Sequence, residues 1–232
     1  MELIAHRGMP RKARENTLAG FALAIAAGAD GIELDVHATR DGAIVVHHDP
    51  ALPLPAGSTP GLGPRAIASL TLAQLRDATT GGTDIPTLGE TLALVGDRVT
   101  LYVEIKAAGI EPAVVASLAR HEGRSAVHSF DHRVSLRVRE LAPRLPTGIL
   151  SASYLIEPGH TLQGAGARDY WQWWEMIDAP LVRQVHDAGG RVVAWTVNSA
   201  EAVDRLASLG VDAICTDVSD DLAALVRKSP QR

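Results

Sequence analysis

Glu33, Asp35, His48 and Asp49 are the residues whose types and spacing first suggest chemistry. They lie in one stretch, Gly31 to Pro50, at or near the ends of two short β-branched, apolar runs joined by a polar Thr39-Arg40-Asp41-Gly42 turn. In an extended strand successive side chains alternate faces, so Glu33 and Asp35 point one way while Ile32, Leu34 and Val36 point the other. Converging carboxylates repel, and burying them is costly unless a cation or a proton neutralises them, which makes a hard metal ion their natural partner. The same pair could instead be solvated acids on an edge strand. A second acid and base share a face at Glu104 and Lys106, and His6-Arg7-Gly8 ends the apolar run Leu3-Ile4-Ala5. By the same alternation His47 points away from His48 and reads as structural.

These groups need elements to hold them. Residues 32 to 36 and 43 to 47 read as strands, with Ile44, Val46 and His48 on one face of the second. Before them, Leu18, Phe21, Ala22, Ile25 and Ala26 recur at helical spacing between an Asn16 or Thr17 cap and Gly28. Residues 51 to 64, rich in Pro and Gly, read as a surface loop. Beyond it, helical patterns at 70 to 77, 88 to 95, 111 to 121, 133 to 141, 180 to 188, 200 to 209 and 222 to 227 alternate with strands at 99 to 106, 126 to 130, 147 to 150, 191 to 197 and 213 to 216. Between residues 151 and 177 the pattern weakens around the aromatic cluster Tyr170-Trp171-Gln172-Trp173-Trp174. Trp171, Trp173 and Trp174 are expected on a loop or helix over the mouth of the fold, or else in a locally packed core.

This rhythm of about eight strands separated by helices is that of an α/β (β/α)8 barrel, with a doubly wound open sheet as the competing architecture. The positions of polar and aromatic residues favour the barrel. His6, Glu33, Asp35, His48, Glu104, Phe130 and Trp195 fall near the carboxyl ends of their strands, where barrel enzymes place their active sites. Neither a Gly-x-Gly-x-x-Gly opening a helix nor a phosphate loop ending in Gly-Lys-Ser/Thr occurs, so a nucleotide role has little support.

Composition narrows the class further. The 232 residues suit one domain, 1 to 232, with little or no inserted subdomain. A net charge of -5 argues against general nucleic-acid or membrane-surface binding, which needs a basic face. The single cysteine, Cys215, excludes an internal disulfide and fits a reducing compartment. No apolar run approaches the roughly 18 to 20 residues of a membrane span, and a cytoplasmic location is expected.

Taken together and in order, the motifs resemble one family. His6-Arg7-Gly8, Glu15-Asn16-Thr17, the run from Gly28 to Val36, Thr39 to Gly42, Val45-Val46-His47-His48-Asp49, Ile85-Pro86-Thr87-Leu88, Glu104-Ile105-Lys106, His128-Ser129-Phe130, Trp195-Thr196-Val197-Asn198 and Gly210 to Asp217 resemble the glycerophosphodiester phosphodiesterases. The resemblance implies a (β/α)8 barrel that hydrolyses small-molecule glycerophosphodiesters to glycerol 3-phosphate and an alcohol. It implies Glu33, Asp35 and Glu104 as ligands of a divalent cation, His6 and His48 as the acid/base pair, and Arg7 and Lys106 on the phosphate. Oxygen ligands suit Mg2+ or Ca2+; with no histidine among the three, zinc is less expected. Phe130 and Trp195 either floor the substrate pocket or close the core. Glu15, Asn16 and Asp49 either orient a ligand or cap a loop.

The chain departs from the family pattern in two places. Leu52-Pro53-Leu54-Pro55 stands where an Arg-Thr-Thr-like segment is usual, and the region before the third metal ligand is short. Both bear on substrate choice more than on the chemistry. Two other functions stay open: a lysophospholipase-D-like enzyme with the Trp cluster as apolar access surface, and a catalytically silent glycerol-phosphate-binding module.

Overall fold

Eight parallel strands close on themselves in the computed structural model, which describes residues 1–52, 64–79 and 85–228. In chain order the strands are β1 (Glu2–His6), β2 (Gly31–Ala38), the short β3 (Ile44–Val46), β4 (Ala51–Leu52) and β5 (Arg65–Ala66), then β6 (Thr100–Ile105), β7 (Ser125–Ser129), β8 (Thr147–Ser151), β9 (Asp169–Trp173), β10 (Arg191–Trp195) and β11 (Ala213–Thr216). The helices are α1 (Leu18–Ala26), α2 (Leu72–Ala78), α3 (Leu88–Val95), α4 (Glu111–Leu118), α5 (His132–Leu141), α6 (Pro158–Ala165), α7 (Ala179–Asp187), α8 (Ala200–Leu209) and α9 (Ser219–Lys228). Because β1 pairs in parallel with both β2 and β11, the ring is closed and the open-sheet alternative is excluded. The chain is a single-domain (β/α)8 barrel. No helix among the described residues is long and apolar enough to cross a membrane.

Strand alternation sorts the apolar residues into two layers. Ile32, Leu34 and Val36 of β2 pack outward against Phe21 and Ala24 of α1 and Leu88, Leu92 and Val95 of α3. Ile4, Tyr102, Ala126, Leu150, Trp171, Val193, Ala213 and Cys215 fill the barrel interior. Two glycines make room for the large interior rings: a Cβ on Gly31 would lie 2.8 Å from Tyr102, and one on Gly148 would lie 2.9 Å from the Trp171 indole nitrogen. Short polar side chains cap the starts of several helices. Thr17 accepts a hydrogen bond from the Gly20 amide, and Thr87 forms a capping box with Glu90.

β2 overshoots the rim. Its last residues pair antiparallel with β3 through Val36↔Val46, His37↔Val45 and Ala38↔Ile44, and this hairpin delivers His48 to the carboxyl end of the barrel. His48 therefore sits just beyond β3 and not on its face, because the strand ends at Val46 where its pairing with β2 ends. Ala51 and Leu52 form β4, whereas the rest of the Pro/Gly-rich loop, residues 53 to 63, lies outside the described residues.

The Trp-rich segment differs from expectation. It is β9, with Tyr170 buried against the helix layer, Trp171 inside the barrel and only Trp173 half-exposed at the rim. Trp174 turns away to pack under the Arg205 guanidinium, 5.5 Å from its ring. Trp171→Ala is therefore expected to cost about 3–5 kcal/mol of stability, whereas Trp173→Ala should cost under about 1 kcal/mol. Urea unfolding of both variants checks this ordering.

At the amino end of the barrel lies a hollow of about 890 Å³ lined by Glu2, Asp30, Arg98, Arg124, Arg191 and Asp212. Its charged groups already have partners: Arg191 pairs with Glu2 at 2.5 Å, Asp30 accepts from the Leu3 amide, and Asp212 accepts from the Val192 amide. Such pairing at this face serves the stability of the barrel.

Candidate active site

Residues expected at the carboxyl ends of different strands meet there. A cavity of about 250 Å³ is lined by His6, Arg7, Glu33, His48, Glu104, Lys106, His128, Phe130, Leu150, Trp171, Trp195 and Cys215. All nine sequence-derived site residues except Asp35 are in its wall. Asp35 lies directly behind, fully buried on the same face of β2 as Glu33. The register explains the convergence, since His6 is level with Glu33, Asp35 with Glu104, and Glu104 with His128 on adjacent strands. His47 is absent from the cavity wall.

The carboxylates have different environments. Burial pushes the Asp35 carboxyl up, but Lys106 at 3.0 Å, Arg7 at 3.1 Å and an amide hydrogen bond from Asn16 at 2.8 Å outweigh it and bring it below the usual range. Glu33 has no cation so close. Burial, then the neighbouring charges of Asp35 and Glu104, raise its carboxyl well above the usual range. Glu104 is raised by burial despite Lys106 at 2.7 Å. The site therefore holds surplus negative charge that a bound cation would relieve.

Arg7 takes both pairings open to it from the sequence, Glu15 at 3.1 Å and Asp35 at 3.1 Å, while still lining the cavity. Asn16 is a positioning residue. Its side chain brackets Asp35, and it and Arg7 both adopt positive φ, +56° and +53°, in a turn that returns the chain to the site. Lys106 also stands 6.0 Å from the centre of the Phe130 ring. Phe130 and Trp173 each meet Trp195 edge to face, at 5.5 Å and 5.6 Å, so these three rings form one wall of the mouth.

His6 and His48 each have a carboxylate at Nδ1. His6 reaches Asp217 at 2.7 Å, and the other Asp217 oxygen accepts from Asn198 at 2.8 Å. An Nδ1–H donating to Asp217 leaves His6 Nε2 facing Glu33 at 3.9 Å. His48 reaches Asp49 at 2.8 Å, and its carbonyl accepts from His37 at 3.0 Å. Asp217→Ala should lower kcat on the order of 10- to 100-fold with little change in KM, and Asp217→Asn, which still accepts from Nδ1–H, should restore part of it. Steady-state kinetics on the two variants separates this from a loss of folding, which would lower the active fraction of both.

His128 is the participant that sequence reasoning passed over. It is 1% exposed, stacks on Trp171 with ring centres 4.1 Å apart, and has no hydrogen-bond partner at either nitrogen. Burial holds its imidazole neutral, down at about 3. Donor atoms of Glu33, Glu104 and His128 lie within 4.8 Å of one another, the one such grouping of acids, histidines and cysteine among the described residues. Asp35, whose oxygens pair with Arg7 and Lys106, is outside it. Alternation along β7 from the interior residue Ala126 would have pointed to His128.

Comparison with known proteins agrees with this geometry. The pattern of the Glycerophosphoryl diester phosphodiesterase family matches residues 6–221. A glycerophosphodiester phosphodiesterase of Caldanaerobacter subterraneus subsp. tengcongensis is 35% identical over 242 aligned residues, covering 97% of this chain and 98% of that protein. Among solved structures, an Oleispira antarctica phosphodiesterase in complex with the product sn-glycerol-3-phosphate superposes with a TM-score of 0.87 at 26% identity, covering 98% and 97% of the two chains. A glycerophosphodiester phosphodiesterase of Thermotoga maritima superposes with a TM-score of 0.82 at 27% identity, covering 96% and 97%.

Proposed function

The chain belongs to the glycerophosphoryl diester phosphodiesterase family and hydrolyses glycerophosphodiesters, and from that premise we propose how its residues divide the work. His6 and His48 exchange protons with the substrate, Arg7 and Lys106 hold the phosphate, and Glu33, Asp35 and Glu104 hold a divalent cation such as Mg2+ or Ca2+. The observation that carries this reading is the meeting of His6 and His48 with two cations and buried acids in one cavity of about 250 Å³. Charge supports it: three carboxylates face only Arg7 and Lys106, so an anionic diester needs further positive charge to enter. The unpartnered Glu33 Oε1 and the raised Glu33 and Glu104 carboxyls fit a bound cation. When bound, it would supply charge for the developing phosphorane oxygens and acidify a ligated hydroxyl.

The nucleophile in this reading is the glycerol hydroxyl beside the phosphate ester. One histidine takes its proton while the other protonates the leaving alcohol, and the roles reverse as water opens the cyclic glycerol phosphate. In this reading His6, tethered by Asp217, serves one end of the reaction and His48, on the more exposed rim, the other.

The apolar rim favours a second substrate class. Phe130 is 47% exposed and Trp173 40% exposed beside Trp195, with Ile156 beyond β8 also exposed, a surface on which the acyl chain of a lysophospholipid could lie. A hydrolysis panel of glycerophosphodiesters with choline, ethanolamine, glycerol and inositol head groups, together with lysophosphatidylcholine, distinguishes the classes. Glycerol 3-phosphate release that disappears after verified metal removal by EDTA and returns on adding Mg2+ or Ca2+ is the expected result. Undiminished turnover of the metal-free protein would overturn the cation assignment, and no turnover of any substrate with metal present would leave a binding module.

A further inference from the structure

His128 occupies a position that neither proton transfer nor phosphate binding explains. Its ring is held flat against Trp171, at an interplanar angle of 11°, deep in the barrel interior. Nε2 faces Glu33 Oε1 at 3.9 Å, too far for a hydrogen bond, and that oxygen also has no partner. Glu104, level with His128 on the neighbouring strand, completes a group with donor atoms within 4.8 Å of one another. Two ligands of one ion bound at about 2.0–2.3 Å stand roughly 3–4.5 Å apart, so the separations are those of a metal site needing only small side-chain adjustment.

We propose that His128 is a nitrogen ligand of the cation, alongside Glu33 and Glu104, and that it shifts the site from Mg2+ or Ca2+ toward Mn2+, Co2+ or Zn2+. The inference rests on the proposed cation-dependent reading of this cavity. Hard Mg2+ and Ca2+ favour all-oxygen donor sets, whereas an imidazole donor favours the borderline first-row ions. The ground for setting zinc aside, a ligand set without histidine, no longer holds once His128 joins it. His128 is thus added to the Glu33, Asp35 and Glu104 set of that reading, in which Asp35, paired with Arg7 and Lys106, is the member that stands outside the 4.8 Å group. Stacking on Trp171 restricts the imidazole plane, with Nε2 3.9 Å from Glu33 Oε1.

The test is metal binding by the full, metal-stripped chain, read by calorimetry with Co2+ and with Ca2+. Wild type should bind Co2+ at least about tenfold more tightly than Ca2+. His128→Gln should weaken Co2+ by about 10- to 100-fold and Ca2+ by less than about threefold. Pulsed EPR of the Mn2+-loaded wild type should show coupling to a directly bound imidazole nitrogen, and this measurement decides the matter if the variant does not fold. Unchanged Co2+ affinity in a folded variant, or no nitrogen coupling in wild type, would overturn the proposal. Unchanged metal affinity with a raised KM for glycerophosphocholine would overturn it too, and would make His128 a substrate contact. Metal that binds without nitrogen coupling defeats only this inference; a wild type that binds neither ion defeats the cation reading as well.

Discussion

His6→Ala and His48→Ala are each expected to lower kcat/KM by about 10²- to 10⁴-fold, the usual contribution of a general acid or base. The loss should come without loss of the fold. The side chains are 19% and 36% exposed at the mouth, not packed in either apolar layer, so truncation leaves no large cavity. Removing His6 also leaves Asp217 its hydrogen bond from Asn198, so no buried charge is stranded. Melting within a few degrees of wild type, with glycerophosphocholine turnover nearly gone, is the expected pair of results. A folded variant that keeps near-normal turnover would remove that histidine from the chemistry.

The second large effect concerns the substrate. A 2-deoxy glycerophosphodiester keeps the phosphate and head group but lacks the hydroxyl proposed to attack. Proximity of an internal nucleophile contributes several kcal/mol to lowering a barrier, so the analogue should turn over about 10³-fold more slowly or worse. Its affinity should change little, because the groups proposed to meet Arg7, Lys106 and the aromatic wall, which line the cavity, are retained. Competitive inhibition of the parent substrate by the analogue, with no release of alcohol, is the expected outcome. Hydrolysis at close to the parent rate would mean that water attacks phosphorus directly.

These two experiments address different halves of one geometry. The histidines sit on separate elements, β1 and the turn after β3, so each can serve one oxygen of an in-line displacement. Arg7 and Lys106 share Asp35 as a common anion, and Lys106 also reaches Glu104 at 2.7 Å.

Much of this site was legible in the chain before any folding. Alternation along β2 placed Glu33 and Asp35 on one face, and the same rule placed Glu104 on the inner face of β6. These are local consequences of a two-residue period, and local periodicity survives in any fold that uses the strand. The ordered motifs likewise identified the family and the barrel. Helix starts at Asn16 or Thr17 and after Thr87 followed from capping chemistry, which acts within a few residues, and the structure has Thr17 as the first cap.

Other features depended on contacts distant in sequence. β9 was unreadable because both its faces are buried, so Tyr170, Trp171 and Gln172 show no alternation of polar and apolar residues. Its place was settled by the outer helices, by Gly148 across the pair, and by His128 on β7. The sequence alone determined which residues carry charge and chemistry, and which face of each exposed-to-buried strand they occupy. Only closure of the barrel decided that His6 would meet Asp217 across 211 positions, that Asp35 would be claimed by two cations, and that Glu33, Glu104 and His128 would converge. Those relations arise from the register between neighbouring strands and from the low-dielectric interior that register creates, and neither is encoded in any single segment.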